Sequence, residues 1–319
     1  MEKNKQIKIL VTGVGGPAGI NASRLLQEEK DVYVYGCDID ELSTGRFFTD
    51  EFHVCPRVDD VSYQTWLGDF VAEHNIDLLI PTVHEELPVL RSFSGELQCT
   101  TAISPVEALQ IGDDKKLMYE WMDVHMPDQM GRWTTLADWT IDWHEDDVQF
   151  LKPRKGRGAR GCKISAKKEL AWLKEHSNDL ESCIVMEALP GTEWTVDCYV
   201  DKDGTIVYTL VRERVGLAGG ISIKGKTVKN EAVITATGTM LSKLECRGPV
   251  LIQWKADHNG QPKLVEINPR LSGGLMISKA AGVNPISNMI REYRGETLSP
   301  QDWKEVTVLG YLDYKVLEE

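Results

Sequence analysis

The chain has 319 residues, which at about 150 residues per domain predicts two domains, or three smaller lobes. Hydrophobic residues make up 42% and charged residues 27%, a balance that excludes a disordered, fibrous or low-complexity chain. Lys and Arg number 36 against 49 Asp and Glu, a net charge of −13 that argues against nucleic acid as a partner.

No apolar run reaches the roughly 18 to 20 residues that would cross a bilayer, so no membrane partner is expected. The opening MEKNKQIKILV reads as a first strand, not a signal peptide, and predicts a cytoplasmic protein. Seven cysteines, with no C-x-x-C pair, predict no disulfide framework or zinc knuckle. Most are expected to be buried small hydrophobes in a reducing compartment.

The run at 7–14 predicts a strand, the glycine-rich stretch from Gly13 to Gly19 a tight turn, and the following segment a helix. A second strand ends at Asp38. Gly13, Gly15 and Ala18 satisfy G-x-G-x-x-A, which predicts a Rossmann-like βαβ unit. With Asp38 they leave open a dinucleotide site, or simply a compact crossover. A helix is predicted over 62–74, with Trp66, Leu67, Phe70 and Val71 facing inward. Asp77–Pro81 is the next strand. His84 and Glu85 follow just past its carboxyl end, where open α/β sheets bind ligands. They are candidate substrate contacts, or else parts of a capped loop. Helices are predicted at 105–110 and 113–121.

The acidic, tryptophan-rich stretch 133–147 predicts the core of a small lobe. A short strand then carries Lys152 into a glycine-rich loop with Gly156, Gly158 and Gly161 and the cations Arg154, Lys155, Arg157 and Arg160. It is no Walker A motif. Mobile glycine-rich hairpins can cover nucleotide phosphates, with a nearby lysine balancing charge, and the extra arginines suit an acidic co-substrate. Ser165 is expected to cap a helix over 166–176. The strand at 183–189 is interrupted by Pro190–Gly191 and resumes at Glu193, which suggests a hinge whose backbone pairs with an adenine edge while Glu193 meets ribose.

Asp201–Gly204 predicts a hairpin turn. Alternation along the returning strand puts Arg212 and Arg214 on one face, either for a carboxylate or phosphate substrate or as a solvated surface. Helices are predicted at 231–243 and 275–281. Between them Asn259–Gly260 marks a hairpin. It sets Glu266 and Asn268 on one face, with Gln253 able to lie opposite. Three oxygen ligands together with nucleotide phosphates make a reasonable magnesium site. Arg270 stands beside it, able to stabilise a transferring phosphoryl group.

The segments FLKPRKGRGARG (150–161), VMEALPGTEWTVD (185–197) and LIQW…LVEINPRLSGG (251–274) resemble the ATP-grasp superfamily, in its carbamoyl phosphate synthase-like and amino-acid-ligase-like branch, with a single grasp unit. The resemblance implies an α/β plus α+β chain. A Rossmann-like pre-grasp domain (1–108) would precede a two-lobed grasp fold, with a small lobe at 109–184 and a C-terminal lobe at 185–319. It implies ATP held by Lys115, Lys152, Gly156, Gly158 and Gly161, with adenine at the backbone of Glu187, Ala188 and Leu189 and ribose at Glu193. It further implies one or two Mg²⁺ ions on Gln253, Glu266 and Asn268, and Arg270, Lys152 and Asn268 as the catalytic group. Arg212, Arg214, His84 and Glu85 remain the candidate substrate contacts.

The implied activity is an ATP-dependent carboxylate–amine ligase that makes an acyl phosphate, with a small-molecule carboxylate and amine as substrates and a possible homodimer. An NAD(P)-linked oxidoreductase built on the first third, and a non-catalytic nucleotide-binding module, are the alternative readings.

Overall fold

The structure, a computed structural model, describes residues 6–156, 160–218, 221–311 and 313–317. The apolar run forms β1 (Ile7–Thr12) and leads into α1 (Pro17–Leu26), where Pro17 takes a first-turn position that needs no N–H. β2 (Val32–Asp38), β3 (Glu51–Val54), β4 (Leu78–Ile80) and β5 (Thr100–Thr101) complete a parallel sheet in the order β3-β2-β1-β4-β5. α2 (Tyr63–His74) buries Leu67, Phe70 and Val71 on this sheet, with Trp66 half-buried. α3 (Glu86–Phe93) follows β4 after the short loop 81–85.

The next two helices run past their expected ends, as α4 (Val106–Asp113) and α5 (Lys115–His125). Asp114 separates them. Its carboxylate accepts from the Lys116 and Leu117 amides and caps α5.

The small lobe is an antiparallel sheet of β6 (Trp133–Thr135), β7 (Val148–Pro153), β8 (Lys163–Ala166) and β9 (Cys183–Glu187), ordered β6-β9-β7-β8. α6 (Lys167–His176) supplies Leu170 to a core shared with Trp139, Leu151 and Val185. Of the tryptophan-rich stretch, Trp139 fills that core, its indole N–H donating to Gln149 at 2.6 Å, while Trp133 and Trp143 are half-buried. Ser165 does not cap α6; Ala166 holds that position. Pairing of Ser165 with Gln149 directs its side chain into the lobe, where it is buried. The small sheet runs through Glu187, beyond the division expected at 184/185, because β9 is its central strand.

The third sheet is antiparallel. It comprises β10 (Glu193–Val200), β11 (Ile206–Ala218), β12 (Ile221–Thr227), β13 (Gly248–Ala256), β14 (Pro262–Asn268) and β15 (Thr307–Leu309), ordered β14-β13-β10-β11-β12-β15. The Pro190–Gly191 break is therefore a change of sheet, from β9 to β10. α7 (Glu231–Lys243), α8 (Leu275–Ala281) and α9 (Pro285–Tyr293) surround it.

One apolar core joins a face of the N-terminal sheet to this third sheet. Asn21 donates to the Gly273 carbonyl at 3.0 Å, Tyr293 to Asp77 at 3.0 Å, and Lys279 pairs with Glu28. All seven cysteines are free. Only Cys37, Cys198 and Cys246 are fully buried, so the expectation that most would be buried fails: the other four sit at strand ends and in loops. Among the described residues no helix is long and apolar enough to cross a membrane.

Candidate active site

The three sheets enclose a cavity of about 1000 Å³. Its floor is the third sheet, and strand register dictates which side chains meet there. Arg212 on β11 stands opposite Thr195 on β10, Thr195 opposite Gln253 on β13, and Gln253 opposite Glu266 on β14. Two residues on, Asn268 lies opposite Leu251. The alternation that set Glu266 and Asn268 on one face thus also sets Gln253 beside them, and all three line the cavity. Arg270 lines it as well and donates to Asn268 Oδ1 at 3.4 Å.

This donor set is all oxygen with a single formal charge. Such a set suits a hard cation that keeps phosphate or water oxygens in the rest of its shell. Among the described residues no group of three or more His, Cys, Asp or Glu could hold a metal, so the fit to Mg²⁺ holds only with a nucleotide present. Asp257, further along the same hairpin, adds no second acid to this set: it accepts from the Asn259 and Gln261 amides of its own turn.

Two lysines reach the same point from separate elements. Lys115, at the start of α5, places Nζ 3.7 Å from Glu266 and donates to the Gly156 carbonyl at 3.1 Å. Lys152, on β7, is buried. It donates to the Val265 carbonyl at 3.0 Å and lies over the Tyr119 ring at 4.7 Å. Burial, reinforced by the neighbouring Lys115 charge, pushes the Lys152 ammonium down to about 7.

Gly156 lines the cavity, whereas Gly161 is exposed outside it. Gly158 and Arg157 lie outside the described residues. Of the loop arginines expected to meet an acidic co-substrate, Arg154 is paired with Asp114 at 2.6 Å, while Arg160 does line the cavity; the neighbouring Lys155 pairs with Asp113 at 2.9 Å.

Arg212 and Arg214 both face the cavity, so the solvated-surface alternative falls. Arg212 is 4% exposed. Its Nε donates to Asp197 at 2.9 Å, and Ser278 donates to the same carboxylate at 3.0 Å. Gly274 lies so close that a Cβ there would stand 2.8 Å from the guanidinium carbon. Arg214 pairs with Glu193 at 3.2 Å, so the expected ribose acid already has a cationic partner.

The hinge residues lie apart from this cavity. Glu187 accepts from the Arg132 amide and sits 3.7 Å from His144, Ala188 is half-buried, and Leu189 is core.

On the opposite wall the N-terminal turn closes on itself. The Gly15 amide donates to Asp38 Oδ2 at 2.7 Å, which engages both the amide and the acid that a dinucleotide would use. Glu85 reaches the cavity, but His84 does not. His84 is buried 3.6 Å from Asp113, and burial, followed by the Arg270 charge, lowers its pKa.

Sequence reasoning missed Glu86, Asp197 and Thr195. Glu86 is a buried carboxylate that accepts from Thr12, Tyr63 and the Val83 amide and so holds the loop after β4. Period-two alternation from Glu193 through 195 to 197 was the available signal for the other two.

Two family models match the chain: "PylC-like, N-terminal domain" over residues 9–102 and "ATP-grasp in the biosynthetic pathway with Ter operon" over residues 179–314. No curated protein sequence matches. Among solved structures, the N5-carboxyaminoimidazole synthetase of Staphylococcus aureus in complex with ADP is similar at TM-score 0.74 and 17% identity, over 96% of this chain and 82% of that one. The biotin carboxylase domain of the Hydrogenobacter thermophilus 2-oxoglutarate carboxylase, bound to MgADP, ADP and bicarbonate, gives 0.75 and 14% over 95% and 73%. The L-amino acid ligase of Bacillus licheniformis gives 0.71 and 13% over 93% and 76%.

Proposed function

We infer that this chain, whose residues 179–314 match an ATP-grasp family model, is an ATP-dependent carboxylate–amine ligase of the ATP-grasp superfamily acting on small molecules. The observation that carries this reading is the meeting of Lys115, Lys152 and Glu266, from α5, β7 and β14, at one cavity that also holds Arg212, Arg214 and Arg270. Two lysines suit a polyphosphate, and three guanidiniums suit a carboxylate and the charge it acquires on phosphorylation.

In this reading Lys115, Lys152 and the Gly156 loop hold the phosphates. Gln253, Glu266 and Asn268 would hold one or two magnesium ions, which would supply charge neutralisation on the phosphate oxygens. Glu193, on the cavity wall, and the 187–189 backbone, beyond its lining, keep the nucleoside end. A substrate carboxylate oxygen attacks the γ-phosphorus, the bond to the ADP oxygen breaks, and ADP departs with the electron pair. Arg270 stabilises charge on the transferring group. An amine nitrogen then attacks the acyl carbon, phosphate leaves with its electron pair, and the surplus amine proton passes to phosphate or solvent. The protein need supply only positioning and charge, not a nucleophile of its own.

The similar structures' named ligands, ADP and bicarbonate, support nucleotide-driven chemistry on a carboxylate-like anion, and the named amino acid ligase supports an amine acceptor. The Gly15–Asp38 contact leaves the NAD(P) reading without a free acid at the turn. A homodimer in the cytoplasm is part of the proposal.

ADP release measured over paired acids and amines tests it. The expected result is release that requires both partners. ATP hydrolysis indifferent to either one would overturn the ligase reading.

A further inference from the structure

Thr195 is 1% exposed, and its hydroxyl has no hydrogen-bond partner. A buried hydroxyl without a partner costs folding free energy, so such groups are few and call for a physical reason. Thr195 is among the residues that line the cavity, and its hydroxyl oxygen is itself closed over, so a ligand oxygen reaches it when the neighbouring side chains shift. Register places it directly between Arg212 on one neighbouring strand and Gln253 on the other, with Glu266 one strand further.

Directly opposite side chains on a sheet stand about 5 Å apart. A ligand oxygen that reaches the Thr195 hydroxyl is therefore also flanked by the guanidinium and by the metal-binding row. Arg212 is fixed from behind by Asp197, which Ser278 also holds, so the guanidinium cannot swing across to satisfy the threonine.

We propose that Thr195 is a direct substrate contact: its hydroxyl donates to an anionic oxygen bound between Arg212 and Gln253. The proposal rests on the ligase reading of the same cavity and deepens it. The oxyanion belongs either to the substrate carboxylate or to the phosphoryl group it receives, and the chemistry recognised is the same in both cases.

The test uses the full chain with the isosteric variant Thr195→Val, the smaller Thr195→Ala and the hydroxyl-keeping Thr195→Ser. MgADP binding is measured first and is expected to be the same in all four proteins. Inorganic phosphate and acetate are then titrated separately into each MgADP-loaded protein. Loss of a hydroxyl that donates to an anion is worth roughly tenfold to a hundredfold in affinity. That loss is expected in T195V and T195A, with recovery in T195S. If phosphate weakens, the contact is to the phosphoryl group; if acetate weakens, it is to the carboxylate. Either supports the assignment.

Because the hydroxyl makes no bond within the protein, T195V should melt no lower than the wild-type apo chain, which a merely structural threonine would not show. Wild-type affinity for both anions in T195V and T195A would overturn the proposal, as would failure of both anions to bind the MgADP-loaded wild-type chain. MgADP failing to bind at all would instead strike the nucleotide reading.

Discussion

Lys152 is the residue whose charge state most directly links folding to binding. Its ammonium is buried, and its pKa is pushed down to about 7 by that burial and by Lys115. An adjacent polyphosphate favours the charged form and raises the pKa again. Nucleotide binding should therefore take up a proton, and MgADP affinity should fall as pH rises through 7 toward the pKa of the complex. Titration calorimetry in two buffers of different ionisation enthalpy reads the proton count; identical heats would contradict it. Stability runs the other way. The unfolded lysine keeps its proton to about 10.5, so between about pH 7 and 10.5 the unfolded chain binds more protons and the apo protein gains stability as pH rises. Lys152→Met removes the buried amine. At pH 6 it should melt no lower than wild type while losing MgADP affinity, and a lower melting point would point to a structural lysine. Glu266→Ala should reduce turnover chiefly through the metal, whereas Arg270→Ala should reduce turnover and leave ATP affinity less changed. Negligible losses in both would contradict the assigned site.

At the scale of elements, the end of β14 is held from outside the third sheet. Gly112 on α4 packs so closely that a Cβ there would lie 2.5 Å from Pro269 Cδ. Pro269 lies between Asn268, a proposed metal ligand, and Arg270, so α4 acts as a backstop for both. Gly112→Ala should destabilise the chain by about 1–3 kcal/mol through overpacking. It should also impair turnover although residue 112 does not line the cavity. Denaturant unfolding together with steady-state kinetics checks both parts, and an unchanged midpoint would show that the contact relaxes without strain. The β13–β14 hairpin was legible in the sequence because Asn259–Gly260 fixes where the chain reverses, and alternation then fixes which faces agree. The cap of α6 was misread because Ser165 obeys its strand partner Gln149 rather than the helix that follows. Local cap preference is weak against a ladder of backbone bonds.

Across the whole molecule, one core joins the N-terminal sheet and the third sheet and takes in Ile184 and Met186 of β9, while a second core lies within the small lobe. Lys152 nevertheless bonds across to the Val265 carbonyl, and Lys115 bridges Gly156 and Glu266. A nucleotide placed at that junction would add a further tie between the small lobe and the third sheet. Hydrogen exchange should therefore slow in β7 and in β13–β14 together when MgADP is added. Protection confined to one of them would mean the nucleotide binds a single lobe.

What the amino-acid order determined alone is what depends on near neighbours: the strand-turn-helix start, the hairpin at Asn259–Gly260, the face shared by Glu266 and Asn268, and the motif strings that resemble a known superfamily. Alternation and turn chemistry act over a few residues, so they can be read without coordinates. Tertiary structure decided which strands lie side by side. It thereby decided that Arg212, Thr195, Gln253 and Glu266 form one row, that Asp38 turns back on Gly15, and that Arg154 is taken by Asp114. Those outcomes follow from sheet order and the competition for partners among charges distant in the chain, and local sequence carries no record of either.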